Sequence, residues 1–228
     1  MDPAVRWLAD RLGVEVSDPG LLVRALTHRS HGGPNNERLE YLGDAVISFV
    51  VAEMLFRQFP EASEGELSRY RASLVSGEAL AQLATELELG GRLRLGEGEL
   101  KSGGQRRATI LADALEALFG AIYLDQGLDA AGRVAERMFR QSLAALPSAA
   151  ELKDPKTRLQ EWLQGRGHAL PTYSVLEISG EPHEQRFLVR CEVPALAITA
   201  VADGSSRRRA EQDAAQRILE DPALKSAG

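Results

Sequence analysis

The sequence has one cysteine, Cys191, so no disulfide can close within a chain, and a reducing, cytoplasmic setting is expected. Aromatic residues make up only 5% of the chain, which leaves Leu, Ala and Val to fill most of any core. No apolar run approaches the roughly 20 residues a membrane helix needs, and no basic-then-apolar leader is apparent, so no membrane partner is expected. Positive charge is not in excess either: the formal net charge is −6. Residues 1–150 carry 16 Lys and Arg against 21 Asp and Glu, and residues 151–228 carry 11 against 12. Any surface for a phosphate backbone is therefore a local patch. Arg207-Arg208-Arg209 is the candidate, with a solvated helix end as the plain alternative. A Gly-x-x-x-x-Gly-Lys phosphate loop, a Gly-x-Ser-x-Gly elbow and paired zinc cysteines are all lacking. His28, His31, His168 and His183 are too dispersed to suggest a metal cluster.

The 228 residues suffice for two domains. Apolar residues recur at helical spacing over 3–12, 20–28, 36–59, 66–89, 106–124 and 128–145. Pro60 ends the longest of these helices, and Ser63 with Glu66 has the spacing of a capping box. Residues 96–105, with four glycines, are expected to form a flexible loop. After Leu146 the pattern changes. A helix over 155–166 precedes three strands, Thr172–Ile178, Arg186–Val193 and Leu196–Val201, and a last helix runs from about Ser206 to Glu220. The expected architecture is an all-α domain over 1–146, a linker over 147–152, a small α+β domain of order α-β-β-β-α over 153–223, and a tail over 224–228.

The most informative feature is acid inside apolar helices. Residues 109–124 are apolar nearly all round, yet they contain Asp113 and Glu116, three apart and so on one face. Leu39, Leu42, Val46, Phe49, Val50 and Leu55 are likewise interrupted by Glu40 and Asp44, four apart, with Glu37 continuing the stripe. A buried carboxylate must be paired, protonated or bound to a metal. Salt bridges to Arg38, Arg106 or Arg107, or simple exposure, are one account. Four oxygen ligands converging on Mg²⁺ or Mn²⁺ are the other. Spacing alone does not establish that the two helices meet.

Asn36-Glu37-Arg38-Leu39-Glu40-Tyr41-Leu42-Gly43-Asp44-Ala45-Val46 resembles the signature segment of the ribonuclease III family. Ala25-Leu26-Thr27-His28-Arg29-Ser30 and Leu111-Ala112-Asp113-Ala114-Leu115-Glu116-Ala117 match that family in the expected order. Pro171-x-Tyr173, Gly180-x-x-His183 and Ala210-Glu211-Gln212-x-Ala214-Ala215 are similar to its double-stranded RNA-binding domain. The resemblance implies a homodimeric, Mg²⁺-dependent endonuclease of double-stranded RNA. It would leave 5′-phosphate and 3′-hydroxyl ends with short 3′ overhangs, and process ribosomal RNA precursors and other transcripts.

By the same resemblance, Glu40, Asp44, Asp113 and Glu116 hold the metal. Asp44 also handles the attacking water, and Glu37 and Glu64 line the cleavage valley. Glu64 has a plainer reading as a first-turn acid favourable to its helix dipole. Tyr41 stands where the family's dimer contact is expected to be phenylalanine. Gln160, Glu161, His183, Ser206, Arg207 and Arg208 are implied RNA contacts, and Ala202 replaces an expected glycine. Two alternatives stand beside this reading. A non-catalytic double-stranded RNA-binding protein on the same scaffold would be favoured by loss of a cluster acid, and none is lost. A helical protein-interaction module explains neither the acids nor the basic helix start.

Overall fold

The structure is a computed structural model that describes residues 3–149, 151–181 and 184–226. The chain divides into two compact units, residues 1–149 and 150–228.

The first unit is helical: α1 (Pro3–Leu12), α2 (Pro19–Ala25), α3 (Glu37–Gln58), α4 (Glu64–Leu74), α5 (Gly77–Glu86), the short α6 (Glu97–Lys101) and α7 (Ala108–Ala144). Side-chain caps start α2, α4 and α5. Asp18 accepts the Gly20 N–H with Pro19 at the first position of α2. Ser63 and Glu66 form the anticipated reciprocal capping box at α4.

The stretch 66–89, expected as one helix, is two. Val75 ends α4, and the Ser76 hydroxyl accepts the Ala79 N–H at 3.2 Å to start α5. Apolar periodicity continues across that break, and a serine cap does not disturb it. Residues 96–105 are not a structureless loop: they hold α6, which stops before Gly103 in the left-handed region (φ +81°), and then a 3₁₀ turn over Gly104–Arg106. The two helices expected over 106–124 and 128–145 are both present within α7, separated by a kink at Gly127, whose backbone is not helical (φ +79°, ψ −175°). Next to that bend the Asp125 carboxylate accepts the N–H groups of Ser17 and Asp18, both at 2.8 Å, which ties it to the chain entering α2.

α3 and α7 form the centre, and the core includes Ile47, Val50, Val51, Leu55, Leu115, Leu118, Phe119, Ile122, Val134 and Phe139. Full burial of side chains of this size contributes about 1.5–3 kcal/mol each. Phe49, expected on the buried side of α3, is instead 54% exposed.

The second unit places α8 (Pro155–Gln164) and α9 (Arg207–Glu220) against the antiparallel sheet β1 (Thr172–Ser179), β2 (Arg186–Val193) and β3 (Ile198–Gly204), in that spatial order; the short α10 (Pro222–Ser226) follows. Leu159, Leu163, Cys191, Val193, Ala214, Ala215 and Ile218 fill its core. Cys191 is thus a buried apolar-like side chain. β3 begins two residues later than expected, because Pro194–Leu196 form a 3₁₀ turn and Ala197 takes a left-handed conformation (φ +54°). Ala202 is buried within β3, paired with Val189, so the alanine is accommodated in regular strand. The restricted position is Gly204, where a methyl would stand 2.6 Å from the Ala210 nitrogen.

Candidate metal centre and RNA interface

α3 and α7 cross backbone against backbone. A methyl on Gly43 would lie 1.7 Å from the Glu116 carbonyl oxygen, and one on Gly120 would lie 2.3 Å from that of Leu39. Only glycine permits this approach. The crossing lies at the acidic positions, and it brings carboxylate oxygens of Glu40, Asp113 and Glu116 within 4.8 Å of one another. All three side chains are half-buried.

Among the described residues no ion pair closes on these three acids or on Asp44. The nearby arginines are engaged elsewhere, Arg107 with Glu99 at 2.6 Å and Arg29 with Glu37 at 3.6 Å. Neither Arg38 nor Arg106 pairs with the cluster, so the salt-bridge account does not describe this site. The electrostatics follow. Burial, then the charges of Asp44, Asp113 and Glu40, push Glu116 up to about 7. Burial, Asp113, Glu37 and Asp44 raise Glu40, with Arg29 opposing. Burial raises Asp113, and His28 and Arg29 oppose it. Three half-buried carboxylates with no ion pair among the described residues form a hard-oxygen donor set that fits Mg²⁺ or Mn²⁺.

The expected residues do not all converge. Asp44 is exposed one turn beyond Glu40 and stays outside the three-oxygen group, although its charge reaches both Glu40 and Glu116. Glu37 is exposed beside the cluster, in a pocket of about 590 Å³ that Glu40, Asp113, His28, Arg29 and Arg107 also line. Arg29 was not anticipated there, and Arg107, considered as a salt-bridge partner of the cluster acids, pairs with Glu99 instead. The signal was available in the matched segment around His28-Arg29, but the residues that an arginine will face are set by tertiary packing. Glu64 lies apart, next to the second half of α3. It accepts a hydrogen bond from Ser68 at 2.8 Å and borders an apolar pocket with Phe49, Phe56 and Leu67. Tyr41 is 84% exposed, and with Phe49 and Phe56 it makes an uncovered aromatic stripe on α3.

In the second unit Ser206 caps α9, its hydroxyl accepting the Arg209 N–H at 3.2 Å. Arg207 and Arg208 are exposed in the first turn of that helix. The helix start, with its free N–H groups and positive dipole end, favours phosphate. Gln160 and Glu161 are exposed on α8, and Glu161 is ion-paired to Lys153. His183 lies outside the described residues.

Residues 18–143 match the family model described as Ribonuclease-III-like, and residues 155–221 match the double-stranded RNA binding motif. The chain belongs to the ribonuclease III family. Ribonuclease 3 of Alkalilimnicola ehrlichii is 56% identical over 212 residues, covering 93% of each chain. Ribonuclease 3 of Vibrio cholerae is 51% identical over 220 residues, covering 96% of this chain and 98% of its own. A solved structure of the ribonuclease III nuclease domain of Campylobacter jejuni, described for flexibility in a region involved in dimer formation, superposes with a TM-score of 0.59 at 42% identity. It covers 61% of this chain and 99% of that domain. The chain is therefore an endoribonuclease whose helical nuclease domain precedes a double-stranded RNA-binding domain. No helix among its described residues is long and apolar enough to cross a membrane.

Proposed function

We propose that this protein hydrolyses phosphodiester bonds of double-stranded RNA in a Mg²⁺-dependent reaction, with Glu40, Asp44, Asp113 and Glu116 as the metal-binding set and Mn²⁺ able to substitute. The observation that carries the reading is the convergence of the Glu40, Asp113 and Glu116 oxygens within 4.8 Å, with no cationic partner among the described residues. A bound divalent ion would supply a water of lowered pKa and offset charge on the leaving oxygen. The protein's own part is to hold those oxygens in place before substrate arrives. Glu116, whose carboxyl is raised to about 7, would be one of the residues holding the ion and would do so as the carboxylate. Asp44, at the exposed edge, would orient the attacking water. Glu37, held by Arg29 and by an Asn35 amide N–H at 3.3 Å, extends the acidic stripe toward substrate.

Water rather than a ribose 2′-hydroxyl is the nucleophile in this reading, so the products are 5′-phosphate and 3′-hydroxyl ends. Ribosomal RNA precursors and other structured transcripts in the cytoplasm are the proposed substrates. Gln160, Glu161 and His183 would face the minor groove of the duplex, with Ser206, Arg207 and Arg208 on phosphate. Recognition of this kind reads shape over about 16 base pairs.

The working unit is proposed to be a homodimer. Tyr41, Phe49 and Phe56 recur at helical spacing, and an apolar pocket of about 670 Å³ beside them has Glu64, Ser68 and Arg71 among its lining residues. A two-fold-related copy would cover both features, with the Tyr41 ring in the pocket and its hydroxyl among those polar groups. Glu64 would then act from the interface rather than within its own chain's cluster, and two clusters would give staggered cuts with short 3′ overhangs. Tyr41→Asp is expected to shift the protein from dimer to monomer in sedimentation equilibrium. A variant that stays dimeric would exclude this stripe as the contact.

The reading is tested with a long, end-labelled RNA duplex in Mg²⁺, Mn²⁺ or EDTA. Staggered cuts bearing 5′-phosphates, seen with either ion and absent in EDTA, are expected. Tight binding without cutting in either ion would favour the non-catalytic RNA-binding alternative.

A further inference from the structure

The starts of α8 and α9 are joined by two carboxylates. Asp154 caps α8 by accepting the Lys156 N–H at 2.9 Å, and it also accepts from the Gln212 side chain at 2.7 Å, with Arg208 at 3.9 Å. Glu211, one turn into α9, holds two cations at once: the Lys156 ammonium on one oxygen and Arg207 Nε, at 2.8 Å, on the other. Glu211 is only 8% exposed. Burial pushes its carboxyl up, but the hydrogen bonds and charges of Lys156 and Arg207 hold it below the usual range.

An acid in the middle of a phosphate-binding helix start would ordinarily oppose RNA. Here its charge is engaged inward while both cations stay accessible, Lys156 at 35% and Arg207 at 64% side-chain exposure. The site therefore presents one net positive charge outward. Arg207 uses only its Nε edge on Glu211, which leaves the forked Nη pair for a phosphate. Lys156 has three donors, of which Glu211 takes one, and its ammonium lies 4.6 Å from the centre of the Tyr173 ring. That ring limits where the ammonium can go.

We propose that Lys156 is a further phosphate-binding cation of the RNA interface, and that Glu211 is the positioning residue that sets it beside Arg207. The inference rests on the reading of Arg207 and Arg208 as phosphate contacts. Lys156 belongs to α8, 55 residues away in sequence, and Glu211 is what makes it part of the basic start of α9.

The test is a fluorescence-anisotropy titration of the full chain against an RNA duplex longer than about 16 base pairs, in EDTA, over a series of salt concentrations. Lys156→Met is expected to weaken binding about 5-fold and to flatten the log–log salt slope by ~0.9, the equivalent of one phosphate contact. Lys156→Arg should restore most of the affinity. In cleavage assays the Met variant should raise KM and leave kcat unchanged. Glu211→Gln discriminates by sign. Removing a negative charge predicts tighter binding from bulk electrostatics, whereas loss of positioning predicts weaker binding. Wild-type affinity and slope for Lys156→Met, or equal or tighter binding by Glu211→Gln, would overturn the proposal. Arg207→Ala with Arg208→Ala in the same series separates the two levels. An unchanged slope there would remove the underlying reading of α9, and a flattened slope there beside an unaffected Lys156→Met would remove only the role of Lys156.

Discussion

Replacing Glu116 by Gln is expected to abolish Mg²⁺-dependent cleavage of duplex RNA and to leave duplex affinity nearly unchanged. The amide keeps the shape and one acceptor oxygen but removes the charge that a hard divalent ion needs. Loss of metal-assisted stabilisation of several kcal/mol corresponds to a rate decrease on the order of 10³-fold or more. End-labelled cleavage beside anisotropy binding separates the two effects. Undiminished cutting would remove Glu116 from the metal set.

The same substitution carries a stability signature of opposite sign. In the folded chain burial and the neighbouring carboxylates push the Glu116 carboxyl up to about 7, from an ordinary value of 4.5. A group raised in this way contributes stability in full below about 4.5 and loses that contribution as pH rises through about 7. The full difference corresponds to about 3 kcal/mol, and solvent screening of a half-buried group reduces it to roughly 1–2 kcal/mol. At pH 8 without divalent ions, Glu116→Gln should therefore melt a few degrees above the wild type, and below pH 4.5 the two should coincide. Mg²⁺ should raise the melting temperature of the wild type more than that of the variant. Thermal melts across pH, with and without Mg²⁺, check this. A variant less stable than the wild type at pH 8 would mean that the cluster is not strained by its own charge.

Gly43→Ala is expected to be the more damaging change for the fold. The added methyl would meet the Glu116 carbonyl at 1.7 Å, a backbone atom that no rotamer change can move aside. α3 and α7 would have to separate, at a cost of about 3 kcal/mol or more. Because the clash falls at Glu116 itself, the same separation pulls Glu40 away from Asp113 and Glu116. Cleavage should fall even at temperatures where the variant remains folded. Gly120→Ala should behave alike. Gly132→Ala, on the same α7, is the control: nothing lies within 4 Å of its added methyl, and removing a helix glycine should stabilise by about 0.5–1 kcal/mol. Urea unfolding of the three variants reads both signs. Wild-type stability for Gly43→Ala would contradict the close helix crossing.

Much of this molecule was legible in the chain because it is local. The capping box at Ser63 and Glu66, the N-cap at Ser206, the acids set into apolar helices and the α-β-β-β-α order all depend on residues within a few positions of one another. The break at Ser76 and the 3₁₀ turn that delays β3 are local too, but each sits inside a run whose apolar spacing hides it.

What the tertiary structure alone decided are contacts between residues far apart in sequence. That Glu40 meets Asp113 and Glu116 while Asp44 stays at the edge depends on where α3 crosses α7, and the crossing depends on two glycines 77 positions apart that touch backbone to backbone. The exposure of Phe49 has the same origin, since periodicity identifies an apolar residue but only packing shows which side of a helix is covered. The recruitment of Lys156 by Glu211 across 55 residues likewise has no trace in either local segment. Sequence determined which chemical groups were present and which helix faces they shared. Packing determined which of those faces meet, because close contact depends on small residues on two different helices at once.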